Sequence, residues 1–500
     1  TGRFVADVCY LTTESAFASP PSTGDLDPSL PPGYDYDVIH PRLFMDRMSV
    51  SNGWLTLPDG MGYRVLALPP VRTMTPALLR KLRDLVAGGA TVVGPPPLQS
   101  PSLADFPQAD HDVQNMAKEL WGDTDGHRVR DHRFGKGRVV WGKPLQEVLA
   151  DLGIPPDFEQ LAPVHGIPLR HIHRRVGDAD IYFVANSNSH PVTAECKFRV
   201  TGKAPELWDP ETGRSRAIPA WRSAGSHTLV PLALGPAGSA FVVFHKPARE
   251  ADPVSALHLD GRPRPAADLE WGPDNSLELK TAQPGEYSLT TAKAAVRRAS
   301  VGPLPKPVEI TGPWTVQFPS NAGAPAQIRL DQLISWTGHS DPGVKYFSGT
   351  ATYSTTFELP SNFAGPDRLL RLDLGRVAVI ARVLLNEQDL GIVWKPPFEV
   401  EVTKAAIPGP NRLEIQVANL WVNRLIGDEF LPEDCEWRPA HLQSGRVLAN
   451  WPQWLVEGKP SPTGRITFTP WKCWSKDSPL LESGLLGPVR LQALQRAAFR

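Results

Sequence analysis

Five hundred residues with 52 basic and 53 acidic side chains give a net charge of −1, with no long run of either sign, which argues against nucleic acid or an anionic membrane as partner. No apolar stretch approaches the roughly 18 residues that a membrane span needs. The 53 prolines and 41 glycines stay below the share, roughly a quarter of a chain, that marks low complexity, so they read as turns between short strands in two to four domains.

Residues 1–152 read as an α/β domain. RFVADVCYL (residues 3–11) is an apolar run of strand length, and YRVLALPP (63–70) is another. The opening TGRFVADVCYL has neither Met nor a signal peptide, and a strand already under way by Phe4 is expected to follow on from an upstream segment. TPALLRKLRDLVAGG predicts a helix with Thr75 as N-cap, Pro76 at its first position and Gly88–Gly89 as its stop. Leu78, Leu79, Leu82, Leu85 and Val86 form its apolar stripe. ATVVG (90–94) and GRVVWG (137–142) follow as buried strands. Strand, helix, strand in this order predicts right-handed crossovers and a mostly parallel sheet.

Residues 153–247 lose the helical pattern. ADIYFVANS, ECKFRVTG, APELWDPETG, HTLVPLAL and GSAFVVFH are short β runs split by turn residues, as a small β-sandwich requires. KPAREADP (246–253) reads as a seam, and residues 248–304 as a linker plus a short β segment. Residues 305–495 form a larger all-β unit, expected to be antiparallel and free of helices. Near its end, Leu413, Ile415 and Val417 alternate with Glu414 and Gln416 as in a half-buried strand. The pattern then breaks into Asn419, Trp421, Asn423 and Arg424.

Few local patterns carry chemistry. Cys9, Cys196, Cys435 and Cys473 form no C-x-x-C pair, which leaves either four separate thiols or a Cys435–Cys473 disulfide of an exported protein. GHSDPG (338–343) places its second Gly one residue too late for a nucleophile elbow. His171 and His173, near His165 and Asp178, can be drawn as a metal site or as a polar interdomain contact; the contact is the reading taken, with no metal assigned. Asp25, Asp27, Asp35 and Asp37 lack EF-hand spacing and read as a solvated loop. Glu14, just past the first strand, lies where ligands of open α/β sheets gather.

The order VLLNEQDLGIVWKPPFEVEVT…GPNRLEIQVAN resembles the sugar-binding jelly roll of glycoside hydrolase family 2, with Asn386, Gly391, Pro397, Phe398, Thr403 and Asn411 in step. A fuller series resembles the C-terminal region of glycoside hydrolase family 106, the α-L-rhamnosidases. It includes VKYFSGTATY, LDLGRV, NLWVNRLIGDE, RITFTPWK and SPLLESGLLGPVRL, and upstream GYDYDVI, LTLPDGMGYRVLALPP and HIHRRVGDADIYFVANS. The resemblance implies a multidomain, β-rich protein: a flavodoxin- or amidotransferase-like α/β domain, a β-sandwich and a C-terminal galactose-binding-like jelly roll. Pro95–Pro97 after ATVVG cannot build an amidotransferase's elbow, so that activity is not expected.

The same resemblance implies an inverting hydrolase of α-L-rhamnosides, exported, with most of its machinery in a (β/α) barrel that lies N-terminal to these domains and is absent here. Calcium at that barrel stays open; no cofactor is expected in this chain. The expected partners are a rhamnose-containing oligo- or polysaccharide and the barrel itself. Glu14 then reads either as a carboxylate reaching across to the barrel or as a surface-loop residue. Trp394, Lys395, Trp421, Asn423 and Arg424 read either as a sugar-binding lip on the jelly roll, or as a bolt between domains with Arg424 paired to Asp428 or Glu429. A freestanding carbohydrate-binding or scaffold protein is the alternative function.

Overall fold

The computed structural model describes residues 2–15, 19–161, 166–248, 251–272, 274, 276–363, 365–440 and 445–500. The α/β unit holds β1 (Val8–Leu11), β2 (Tyr36–Ile39), β3 (Val65–Ala67), β4 (Thr91–Val93), β5 (Asp131–Phe134) and β6 (Gly137–Val140) in the order β2-β1-β3-β4-β6-β5. All neighbours pair parallel except the β5–β6 hairpin. Side chains alternate between two cores because strand residues point to opposite faces. Cys9, Leu66, Val92 and Val139 pack with helices α1 (Pro41–Arg47), α2 (Pro76–Gly88) and α3 (Gln108–Trp121), whereas Val8, Val65, Val93 and Val140 pack with α4 (Leu145–Asp151). The α2 signals work as the sequence predicts: the Thr75 hydroxyl accepts from Leu78 N, and Gly89 closes the helix at φ 123°. The order reverses between β1 and β3, which opens a crevice outside their carboxyl ends.

One expected strand is two. Within RFVADVCYL, Arg3 and Phe4 pair with Arg175 and Arg174 of the next unit, while Val8–Leu11 enters the α/β sheet. The break falls at Asp7, a buried carboxylate that bonds Arg199 at 2.9 Å. An apolar reading of the whole run passes over the one residue whose charge needs a partner from elsewhere.

The β-sandwich stacks two antiparallel sheets. One runs Arg3–Phe4, β8 (Arg170–Val176), β9 (Ala179–Ala185), β15 (Ser239–Pro247), β11 (Lys203–Trp208), β12 (Ser215–Ala217). The other runs β7 (Phe158–Gln160), β10 (Val192–Phe198), β14 (His227–Leu234), β13 (Arg222–Ala224). Tyr182, Phe198, Val230, Val242 and Phe244 fill the space between them.

Residues 254–301 are richer in strands than a linker. β16 (Val254–Leu259), β17 (Arg262–Arg264), β20 (Gly285–Thr291) and β21 (Val296–Val301) make their own sheet in the order β17-β16-β20-β21. β18 (Leu269–Trp271) and β19 (Leu277–Thr281) instead join the jelly roll through the last strand, β30 (Arg490–Phe499).

The jelly roll packs the sheet β18-β19-β30-β25-β28 against β23-β22-β24-β29-β26-β27. Its further strands are β22 (Trp314–Gln317), β23 (Gln327–Leu330), β24 (Thr350–Leu359), β25 (Arg368–Asp373), β26 (Ile380–Leu385), β27 (Gln388–Val393), β28 (Glu399–Glu401) and β29 (Gly409–Ala418). Trp314, Trp336, Phe347, Tyr353 and Leu413 lie in the shared core. Three short helices correct the helix-free expectation, α5 (Pro342–Lys345), α6 (Val422–Asp428) and α7 (Gln453–Val456). Asp341 caps α5 by accepting from Gly343 N, so GHSDPG is a helix start. In α6, Asn423, Arg424, Ile426, Gly427 and Asp428 are buried, a wide inward face for so short a helix.

Candidate functional site

Glu14 lies at the crevice where the α/β sheet reverses. Its carboxylate accepts hydrogen bonds from Thr75 N at 2.8 Å and Thr75 Oγ1 at 2.7 Å. Thr75 caps α2, so the carboxylate also sits at the N-terminal end of that helix. The contact ties the loop after β1 to the loop after β3 and holds an exposed carboxylate in one orientation.

The five jelly-roll residues divide. The register places Val393 beside Ala381 and Ala381 beside Val417, so Trp394 and the turn after β29 share one end of the sheet. There the two indoles are open, Trp394 54% and Trp421 65% exposed. Asn423 and Arg424 turn inward. The Asn423 amide donates to Leu481 O at 2.7 Å and accepts from Leu481 N at 2.9 Å. Arg424 pairs with Asp428 at 3.0 Å, and the second Asp428 oxygen accepts from Ile466 N, Thr467 N and Thr467 Oγ1. Lys395 reaches into the sandwich and pairs with Glu211 at 2.8 Å. Asn419 braces the turn, accepting from Gly349 N and donating to Phe347 O.

Beyond α6 the chain builds a cleft that the sequence reading missed. Three short strands, Trp437–Pro439, Arg446–Leu448 and Trp471–Lys472, pair in that order. With the neighbouring loops they gather Glu429, Asp434, Trp437, Arg465, Phe468 and Lys472 around a space of about 30 Å³, room for one or two waters. Arg465 bonds Glu429 at 2.9 Å and the carbonyls of Leu431 and Pro432. Lys472 pairs with Glu429 at 2.6 Å and with Glu433. Burial raises the Glu433 pKa, but Lys472 and the Trp437 indole N–H outweigh it and hold the carboxyl below its ordinary value. Phe430 and Trp451 stand exposed nearby in sequence. Planar aromatic faces beside fixed carboxylates and cations are the groups that bind sugar rings and their hydroxyls. The spaced aromatics of RITFTPWKCW were the available signal, but not the partners that they meet.

His173 is the centre of a buried junction. Its Nδ1 lies 3.0 Å from Asp157 and its Nε2 3.2 Å from Asp180, with the Tyr182 ring stacked on it at 3.9 Å. Burial lowers the His173 pKa, yet the two carboxylates outweigh it and the net direction is upward. His171, mainly through burial, is lowered. Arg199 bridges Asp7 of the α/β unit at 2.9 Å and Asp157 at 3.2 Å. The histidine side chains thus pair within the sandwich, and the polar contact to the α/β unit is made by Arg199 on Asp7; His165 lies outside the described residues. Among the described residues no group of three or more His, Cys, Asp or Glu converges as a metal would need.

The Asp cluster is dispersed. Asp25 accepts from Ser22, Asp35 from Tyr36 N, and Asp37 from Val38 N and the Tyr63 hydroxyl. All four cysteines are free: Cys9 and Cys196 buried, Cys435 half-buried and Cys473 exposed. Burial first, and then Asp434 beside it, push the Cys435 thiol up to about 12.

Residues 1–222 match the family model Glyco_hydro_106, alpha-L-rhamnosidase. The chain is similar to the rhamnosidase from Novosphingobium sp. PP1Y, whose structure superposes at a TM-score of 0.70 and 34% identity over 99% of this chain and 39% of that one. It is also 28% identical to the putative beta-glucuronidase of Formosa agariphila, over 99% of this chain and 56% of that relative. The chain therefore shares one fold with the Novosphingobium structure along nearly its whole length, and spans about half the length of the relatives it matches. Among the described residues no helix is long and apolar enough to cross a membrane.

Proposed function

We propose that this chain is the accessory and sugar-binding portion of a glycoside hydrolase of family 106, acting on α-L-rhamnosides of plant or microbial polysaccharides outside the cytoplasm. What carries the reading is the shared fold with a rhamnosidase over 99% of the chain, joined to the family match at residues 1–222. Bond cleavage is assigned to a (β/α) barrel, which the sheets described above do not form. Inversion needs two carboxyls about 6.5–9.5 Å apart, one acid and one base for water. Glu14, held in place by Thr75 at the α2 N-terminus, supplies one candidate from the flanking domain, and the barrel supplies the other. The open indoles of Trp394 and Trp421 hold the glycan.

Release of rhamnose from an aryl α-L-rhamnoside tests this. The 500-residue chain alone is expected to stay at the buffer blank, and a protein that also carries the barrel to turn over. Release by the chain alone sinks the division of labour. Inactivity of the barrel-containing protein on every α-L-rhamnoside sinks the substrate. The exposed indoles also favour a second reading, a freestanding carbohydrate-binding protein; it requires glycan binding with no hydrolysis by either form.

A further inference from the structure

A cleft of about 570 Å³ opens where the α/β unit meets the sandwich, and four arginines line it: Arg3, Arg64, Arg175 and Arg199. Two of them are neutralised. Arg199 bridges Asp7 and Asp157, and Arg175 pairs with Asp180 at 3.0 Å, a carboxylate that Lys203 and His173 also approach. The other two are not. Among the described residues neither Arg3 nor Arg64 has a carboxylate within salt-bridge distance. Arg3 donates only to Gly60 O, at 3.2 Å. Arg64 lies over the Trp54 ring at 4.8 Å, and its Nε is buried without a hydrogen-bond partner. Its charge acts on Asp7, whose own carboxyl burial raises against the pull of Arg199 and Arg64. The cleft is thus cationic in excess, with a guanidinium N–H left unanswered in its wall. Two guanidinium charges without a carboxylate partner favour an anion in the cleft.

Trp54 adds a second kind of recognition. Its indole is 42% exposed in the cleft wall, beside the Arg64 guanidinium. A guanidinium binds planar or tetrahedral oxyanions through paired N–H groups, and an indole covers the apolar face of a pyranose ring. The volume suits one or two sugar rings. We propose that this cleft binds a saccharide bearing an anionic substituent, a uronate carboxylate or a sulfate ester, with Arg64 and Arg3 on the anion and Trp54 against the ring. The saccharide rests on the glycoside hydrolase reading above, whereas the anion rests on the cleft alone.

Titration calorimetry of the protein with three disaccharides of equal length tests it: one containing glucuronate, one carrying a sulfate ester and one neutral. At least one acidic sugar is expected to bind about tenfold or more tightly than the neutral one, and to weaken with added salt. Which of the two does so identifies the substituent. Arg64→Gln and Trp54→Ala are each expected to raise that Kd about tenfold at an unchanged melting temperature. If Arg64→Gln does not fold, Arg3→Gln, at an exposed position, decides in its place. Equal binding of neutral and acidic sugars, inorganic sulfate binding as tightly as either sugar, or an unchanged Kd in the variants overturns the proposal. In the barrel-containing protein the same substitutions are expected to leave turnover of a neutral aryl rhamnoside unchanged, so this site can fail while the rhamnosidase reading stands, and the reverse.

Discussion

Asp428 shows how one carboxylate decides a local structure. One oxygen takes three hydrogen bonds from the 466–467 segment and the other faces Arg424, so the start of α6 and the return of the chain share one acceptor. Asp428→Ala leaves a buried guanidinium alone and three donors unmet. Breaking a buried pair in this way costs about 3–5 kcal/mol, which lowers the melting temperature on the order of 10 °C. Trp421, three positions before Arg424 and 65% exposed, predicts the opposite. Trp421→Ala is expected to leave melting within about 1 °C and, if the indole stacks on sugar, to weaken oligosaccharide binding about tenfold. Melting and calorimetry on the two variants separate them; a large loss of stability in Trp421→Ala makes that residue a structural anchor. Glu14 carries a third expectation. Glu14→Gln keeps an acceptor for Thr75, so the loop stays in place while the negative charge is lost. In the barrel-containing protein kcat is expected to fall about 10²–10⁴-fold if Glu14 is an acid or base, and near-normal kcat makes it only a brace.

At the scale of elements, local pattern and distant pairing carried different amounts of information. β29 follows from alternation alone, because Leu413, Ile415 and Val417 are all fully buried in the core. The limits of α2 follow from Thr75, Pro76 and Gly88–Gly89, each of which acts within its own few residues. The segment 254–304 resisted assignment for a physical reason. Leu277 pairs with Phe499 and Thr281 with Gln495, more than 200 residues away, and a partner that far off leaves no local trace. The lip residues were half legible for the same reason: their chemistry was visible, but Asn423 meets Leu481, Arg424 lies under a segment 40 residues on, and Lys395 meets Glu211. β30 makes the consequence testable. It pairs with β19 on one side and β25 on the other, so it joins the 254–304 segment to the jelly roll. Deleting residues 490–500 strips both neighbours of their ladder at once. Limited proteolysis is expected to cut the 269–281 segment and the jelly roll at similar rates in the truncated protein. Retained protection of either one shows that it folds without β30.

The molecule as a whole is joined by polar contacts, and the densest of them surrounds His173. Both of its ring nitrogens face carboxylates, and only the imidazolium has two N–H donors to offer, so the geometry agrees with the upward shift. A histidine raised above its unfolded value near 6.5 contributes stability that is fully present below that pH and is lost as pH rises through the folded value. Asp157 and Asp180 are lowered: burial raises each, and His173 with the neighbouring cations outweighs it. Their contribution is present above the ordinary carboxylate range and is lost as pH falls through their depressed values. Asp7, raised chiefly by burial, takes some stability back as it ionises between its ordinary and its raised value. The network around His173, which reaches the α/β unit through Arg199 and Asp7, is therefore expected to hold best in mildly acid solution, above the carboxylates and below His173. His173→Gln removes the cation and keeps a side chain of similar length. Its melting temperature is expected to lie furthest below that of the parent near pH 6 and to approach it as pH rises through the folded value of His173, where the parent's own imidazolium is lost. A gap that stays constant across this range means that His173 is neutral throughout and that Arg199 alone carries the junction.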